Sequence, residues 1–303
     1  MAVEIPAALS TAAQRSPEWA SWLDRLPRLV RDVLAEWALT PDGGSMAGQT
    51  ALALPVRTGQ GVAAVVKFGW PHPEAAYEHL ALRAWSGRGA VQLLQADPRR
   101  WVLLLERAQA GRDLHTLPVR EACEVVAGLY ADLHRPAIPQ LDLLSAACAR
   151  WSEELRVLRN HGQVPRRYVD QAAALARDFA SDPATDGTLL HTDLHYGNVL
   201  AADRAPWLVI DPKPMSGEPA YEVAPLLWNR WDEAVATGSL RTALLDRLYT
   251  VVDAAGLDED RARDWVVLRE MVNVLWTLRD DTDASVDLDW VTAAITIVKA
   301  VQR

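Results

Sequence analysis

His191-Thr192-Asp193-Leu194-His195-Tyr196-Gly197-Asn198, followed one turn later by Leu208-Val209-Ile210-Asp211, decides the reading of this chain. Two carboxylates and a carboxamide fall at fixed offsets: Asp193, Asn198 five residues on, and Asp211 thirteen beyond that. A kinase catalytic loop needs this set. An Asp takes the proton of the acceptor hydroxyl, an Asn five positions later holds metal, and an Asp on the next strand holds metal again. Residues 198–200 and 207–210 read as two short strands around an Ala-Ala-Asp-Arg-Ala-Pro turn. Such a hairpin returns Asp211 to the mouth of the loop that carries Asp193.

The stretch resembles the signature of the aminoglycoside phosphotransferase family, a His-x-Asp-x-His-x-x-Asn loop followed by an Ile-Asp strand end. The continuation Ile210-Asp211-Pro212-Lys213 and the downstream Gly217-Glu218-Pro219-Ala220-Tyr221-Glu222 resemble most the streptomycin 6-phosphotransferase and hydroxyurea phosphotransferase branch, and the likeness extends over residues 35–300. Thr192 stands where many relatives carry Gly, and Glu222 where many carry Asp, which leaves its loop-bracing role open. The resemblance implies a two-lobed protein-kinase-like fold that uses ATP and Mg2+. It also implies transfer of phosphate to a hydroxyl of a small molecule, first an aminoglycoside of the streptomycin type. Hydroxyurea, a sugar or another metabolite compete as acceptors.

Composition bounds the alternatives. Half of the 303 residues are apolar, which excludes disorder as the main class. A net charge of −9 and a pI near 5.3 argue against a nucleic-acid partner and suit a cationic small substrate. Arg, Asp or Glu interrupts every apolar run before it can cross a bilayer, and residues 1–14 lack the basic start and apolar core of a secretory signal. The expectation is a cytoplasmic protein without a membrane partner, monomeric or weakly dimeric. Cys123 and Cys148 read as free buried thiols, with no metal-type partner nearby in sequence. Thirteen Trp stand against two Phe; their helical spacing, as in Trp19/Trp22 and Trp228/Trp231, favours core packing over a sugar-stacking platform.

Along the chain, residues 16–38 read as helical, with Ser16 as N-cap, Pro17 at the first position and Pro27 restarting the helix. Residues 50–57 and 61–68 form a strand pair in which Pro55 calls for an edge or a bulge. Residues 73–86 read as one helix with Ala76, Leu80 and Trp85 on its apolar side, and 91–95 with 101–105 as a second strand pair. From residue 119 onward the pattern is mostly amphipathic helix. Strands first and helices afterwards predict an α+β fold: a small N-terminal lobe with an antiparallel sheet, residues 1–106 including the N-terminal helices, and a mostly helical C-terminal lobe, residues 107–303. Residues 106–111 are small and polar, suited to a hinge.

Further candidates surround the central motif. Lys67 closes an apolar strand and can reach ATP phosphates if a helix carboxylate braces it. Glu78 and Glu74 are the candidates, and the resemblance favours Glu78, which shortly precedes Leu80-Ala81-Leu82. Within Gly43-Gly44-Ser45-Met46-Ala47-Gly48-Gln49, Ser45 and Gly48 are candidates for covering the phosphates, although the stretch is not a Walker motif. By resemblance, the carbonyl of Glu106 and the N–H of Ala108 bond the adenine. Magnesium prefers oxygen ligands, which Asn198 and Asp211 supply, and Asp193 is the expected catalytic base. Lys213 either adds positive charge near the γ-phosphate or lies solvated on the surface.

Two other classes compete. His191, Asp193 and His195 together suit a zinc hydrolase, but that leaves Lys67, Asn198 and Asp211 unused; His191 reads better as a residue bonding loop backbone near Asp211. A non-catalytic, pseudokinase-like binding module keeps the fold, yet the intact Lys67, Asp193, Asn198 and Asp211 set argues against it. Two acidic stretches, Asp280-Asp281-Thr282-Asp283 with Asp287 and Asp289, and Asp232-Glu233 beside Trp231, read either as solvated loops or as a wall attracting guanidinium groups.

Overall fold

The computed structural model describes residues 5–7, 9, 16–279 and 288–302. They form two compact units, one running to Gln109 and including Ala201–Leu208, the other comprising Ala110–Leu200 and the chain from Val209. The sequence reading placed the division after residue 106. The chain instead leaves the first unit after Gln109 and lends it back the turn at 201–208.

In the first unit, helix α1 (Pro17–Glu36) starts where Ser16 Oγ accepts the Trp19 N–H at 3.2 Å. Pro27 does not restart it: α1 is continuous. The apolar stripe Trp22, Leu23, Leu26, Val30 and Val33 keeps its register through the exposed Pro27, so burial holds the helix across a missing backbone hydrogen bond. The stripe packs on a sheet of β1 (Thr40–Pro41), β2 (Met46–Ala47), β3 (Ala51–Arg57), β4 (Ala63–Gly69), β5 (Leu93–Asp97) and β6 (Val102–Glu106). The order is β1-β3-β4-β6-β5, with β2 also on β3. The register of β3 on β4 and of β4 on β6 is antiparallel throughout.

Pro55 is therefore not on an edge strand. It sits where the short strands β1, paired at Val56 and Arg57, and β2, paired at Leu52 and Ala53, leave β3 uncovered. There Pro55 only accepts, its carbonyl taking the Asp42 N–H at 2.9 Å. Trp19 lies 5.2 Å from Trp22 and 5.1 Å from Trp70, ring centre to ring centre, so these tryptophans pack the core. The helix expected over 73–86 divides into a 3₁₀ turn (Pro73–Ala75) and α2 (Glu78–Trp85), because Tyr77, at φ −109° and ψ 8°, breaks the helical phase. The buried face becomes Glu78, Ala81, Leu82 and Trp85 rather than Ala76 and Leu80.

Beyond the first sheet come β7 (Gln109–Asp113), α3 (Val119–Leu133), β8 (Arg135–Pro136), α4 (Leu144–Glu154), α5 (Arg166–Ser181), β9 (Thr188–Leu190), β10 (Val199–Ala201), β11 (Trp207–Val209) and β12 (Met215–Gly217), all in the second unit except Gln109, Ala201, Trp207 and Leu208. After these come α6 (Ala224–Trp228), α7 (Trp231–Ala236), α8 (Leu240–Ala255), α9 (Glu259–Arg279) and α10 (Leu288–Val301). Helix pairs α4/α5, α3/α8 and α9/α10 make the core. Two three-stranded sheets are ordered β11-β10-β7 and β12-β9-β8. Cys123 and Cys148 are buried and free, and burial pushes the Cys148 thiol up to about 12. Among the described residues no helix is long and apolar enough to cross a membrane.

Helix α9 buries a carboxyl group that the core does not satisfy. Glu270 is fully buried, and neither of its oxygens nor the Asn273 Nδ2 makes a hydrogen bond with a described residue. Burial raises its pKa to about 8, against opposing contributions from Asn273 and the Arg269 charge. The folded state thus binds a proton that the unfolded chain releases near an ordinary carboxylate pKa, so Glu270 costs stability increasingly as pH rises from about 4.5 to 8. Glu270→Gln is expected to raise Tm relative to wild type more at pH 8 than at pH 5, by about 5 °C in thermal melts. Equal differences at the two pH values would show that this carboxyl is ionised in the folded protein.

Candidate functional site

In the first unit, the period-two alternation of β4 turns Val66 and Phe68 toward α1 and leaves Lys67 on the opposite face, across from Ala53 and Leu103. There Lys67 Nζ donates to both carboxylate oxygens of Glu78, at 2.8 and 2.7 Å. The pair is largely shielded, with side chains 15% and 5% exposed, so the ammonium is held in one place rather than sweeping through solvent. Glu78 opens α2, whereas Glu74 lies on the preceding 3₁₀ turn.

Ser45 and Gly48 flank β2, and the Gly48 N–H closes the β2–β3 turn on the Ala51 carbonyl at 2.8 Å. That donor is spent inside the hairpin. Glu106 ends β6 opposite Ala64, its N–H bonded to the Gln92 carbonyl at 2.9 Å, and the half-buried Ala108 follows two residues later. The Glu106 carboxylate takes the Arg204 guanidinium at 2.8 Å, an attachment between β6 and the turn at 201–208 that spacing along the chain could not reveal.

In the second unit, β9 delivers the chain into His191 and a 3₁₀ turn (Tyr196–Asn198) delivers it out into β10. His191 uses both ring nitrogens on backbone: Nε2 contacts the Ile210 carbonyl at 2.9 Å and Nδ1 accepts the Asp193 N–H at 3.3 Å. Acceptance at Nδ1 puts the proton on Nε2. The ring therefore braces the loop near Asp211, as expected for it, and has no lone pair left for zinc. Among the described residues no group of three or more His, Cys, Asp or Glu gathers as a metal cluster.

Asn198 is the knot of the loop. Its Nδ2 donates to the Asp193 carbonyl at 2.8 Å, and its carbonyl accepts the Ile210 N–H at 2.9 Å. The hairpin thus returns Asp211 beside Asn198. With the amide nitrogen committed, the carboxamide oxygen is the atom that remains for a ligand. Asp211 itself is left-handed, at φ 56°, a conformation that Asp tolerates better than most residues. His195 lies over Gly197, where a Cβ would come within 3.2 Å of the imidazole, and burial lowers the His195 pKa and favours its neutral form.

Thr192 is also left-handed, at φ 61°, an unfavourable place for a β-branched residue. Two bonds hold it. Its Oγ1 donates to the Lys213 carbonyl at 2.5 Å, and its N–H donates to Glu222 Oε1 at 2.7 Å. The same Oε1 accepts the His191 N–H at 2.7 Å, and Oε2 meets His134 Nε2 at 2.7 Å. Glu222 is thus the brace of the loop despite being one methylene longer than Asp. Burial pushes its pKa up, but the His134 and backbone N–H bonds outweigh this and hold it below the usual carboxylate value. His134, which sequence reasoning left among scattered histidines, stacks on Tyr130 with ring centres 4.4 Å apart. A separation of 88 residues from Glu222 left no local signal to find it by.

Lys213 Nζ lies 2.8 Å from Asp193 Oδ2, so the lysine is paired with the loop carboxylate while keeping 31% of its side-chain surface exposed. Of the acidic stretches, Asp280–Asp283 and Asp287 lie outside the described residues, and Asp289 is exposed near the start of α10. Glu233 is bound by Arg230 at 2.5 Å and is not part of an open acidic wall, while Asp232 is exposed.

A family model described as aminoglycoside/hydroxyurea antibiotic resistance kinase matches residues 36–281. The chain is 37% identical to a streptomycin 6-kinase of Streptomyces glaucescens, over 99% of this chain and 97% of that one. It is 39% identical to a hydroxyurea phosphotransferase of Kitasatospora aureofaciens, over 92% and 81%. Among solved structures, aminoglycoside phosphotransferase APH(4)-Ia in a ternary complex with ADP and hygromycin B is similar at a TM-score of 0.58 and 17% identity, over 89% and 97% of the two chains. A choline/ethanolamine kinase family protein from Mesorhizobium loti is similar at 0.59 and 18%, over 90% and 94%. These structural likenesses establish the kinase-like α+β fold.

Proposed function

This chain belongs to the aminoglycoside/hydroxyurea antibiotic resistance kinases, and from that membership we propose that it transfers the γ-phosphoryl group of ATP to a hydroxyl of a streptomycin-type aminoglycoside. The observation that carries the chemistry is the Asn198 knot, which ties the Asp193 carbonyl to the strand end bearing Asp211. Asp193 orients the acceptor hydroxyl and receives its proton as the new bond to phosphorus forms. Lys67, fixed by Glu78, holds nucleotide phosphates. Ser45 covers them, with the backbone around Gly48, and the backbone of Glu106 and Ala108 takes the base.

Magnesium fits the donors at hand, because the Asn198 carboxamide oxygen and the Asp211 carboxylate are hard oxygen ligands joined through the Ile210–Asn198 backbone bond. When bound, the ion neutralises phosphate charge. The near-complete reciprocal match to the streptomycin 6-kinase favours a streptomycin-type acceptor, phosphorylated at the 6-hydroxyl, over hydroxyurea, whose kinase is matched over a smaller share of its length. The net charge of −9 suits a guanidinium-bearing substrate in the cytoplasm.

ADP release measured with streptomycin, hydroxyurea and neutral sugars as acceptors tests the proposal. Streptomycin-dependent release is expected to exceed release with either alternative by at least about a hundredfold in kcat/KM, as when buried polar groups lose their partners. Turnover of hydroxyurea with none of streptomycin would refute the acceptor and leave the kinase assignment standing.

A further inference from the structure

We propose that Lys213 is a catalytic residue of the transfer, its ammonium bridging the Asp193 carboxylate and the moving phosphoryl group. This rests on the transfer reaction proposed above. Lys213 lies two residues past Asp211, outside the Asp193–Asn198–Asp211 set by which the loop is recognised in sequence. Its Nζ is 2.8 Å from Asp193 Oδ2.

Its backbone is fixed as well. The Lys213 N–H donates to the His191 carbonyl at 3.0 Å, and its carbonyl accepts the Thr192 hydroxyl at 2.5 Å. Both partners belong to the loop that carries Asp193, so the main chain of Lys213 is tied to the main chain beside Asp193. An ordinary surface ion pair gains little, because two long side chains must be ordered for it. Here the backbone anchors fix the points from which both side chains extend, which narrows the search for the pair and favours a preorganised electrostatic group.

The pair is also accessible. The Lys213 and Asp193 side chains keep 31% and 24% of their surface, unlike the sealed Glu222, so a substrate can reach both. An ammonium carries three donors on a flexible stem and can hold a carboxylate and a phosphoryl oxygen together.

In the reaction, the acceptor oxygen forms its bond to the γ-phosphorus while the bond from that phosphorus to the β–γ bridging oxygen breaks. ADP leaves with the electron pair, and the acceptor proton passes to Asp193. Lys213 keeps its protons throughout. It offsets negative charge on the equatorial phosphoryl oxygens and keeps Asp193 aimed at the acceptor.

Lys213→Met should lower kcat by about a hundredfold, the scale for removing one preorganised donor, with ATP and acceptor KM changed less than threefold. A role confined to Asp193 is separated by a double-mutant cycle. In an Asp193→Asn background, Lys213→Met should still lower the residual rate at least tenfold, and alkylamines should partly restore Lys213→Ala. Full turnover by Lys213→Met, or no further loss in the Asp193→Asn background, overturns the proposal alone. A wild-type enzyme that phosphorylates neither streptomycin nor hydroxyurea overturns it together with the kinase reading. A melt of Lys213→Met close to wild type shows that a lost rate is not lost folding; if Lys213→Met melts early, Lys213→Arg decides, with wild-type folding and a lower kcat expected.

Discussion

Asp193→Asn is expected to cut acceptor phosphorylation by at least about a hundredfold, the low end for a displaced general base, while ATP affinity stays close to wild type. The substitution is nearly isosteric. The Asp193 carbonyl remains bonded to Asn198 and its N–H to His191, both through backbone atoms the change does not touch. Lys213 can still donate to the amide oxygen. What disappears is a negatively charged oxygen able to receive the acceptor proton and hold the hydroxyl in line. Steady-state ADP release and nucleotide titration on the same preparation read the two effects separately. Turnover above about a tenth of wild type would remove Asp193 from proton transfer.

The parts of this site that are contiguous in sequence were readable there. Asp193, Asn198 and Asp211 lie within one loop and one hairpin, so fixed spacing implied their convergence, and the Ile210–Asn198 bond shows how the backbone achieves it. The central strand pair of the first unit was equally accessible, because two apolar runs separated by a short polar turn mark β3 and β4. Two readings failed where burial overrode a local rule. Pro27 breaks an isolated helix but not one whose stripe continues on both sides. Pro55 bars a strand interior only where the neighbouring strand demands an N–H. The bracing partners His134 and Arg204 were invisible for another reason. Each meets its carboxylate across a long stretch of chain, 88 residues for Glu222 and 98 for Glu106, and no period or spacing encodes such a meeting.

Glu222→Ala should cost about 3–5 kcal/mol, the range for removing one partner of a buried charged pair, and should lower kcat along with stability. One carboxylate, sealed at 1% exposure, satisfies two loop N–H groups and His134. Its removal leaves two buried N–H groups and the half-buried His134 without this acceptor, and it frees the left-handed Thr192 from one of the two bonds that hold it. Glu222→Gln separates charge from hydrogen bonding, since an amide oxygen can still accept both N–H groups. It should keep more loop order than Ala while losing the attraction to His134. The sign of the pH effect follows from the depressed Glu222 pKa. The stabilisation is present above the unfolded carboxylate value, about 4.3, and is lost as pH falls through the lower folded value. Urea melts of wild type and Glu222→Gln should therefore diverge at pH 7 and converge in acid. A constant gap across that range would mean that folding leaves the Glu222 pKa unshifted. A Glu222→Ala enzyme with wild-type kcat would show that the catalytic loop keeps its shape without this carboxylate.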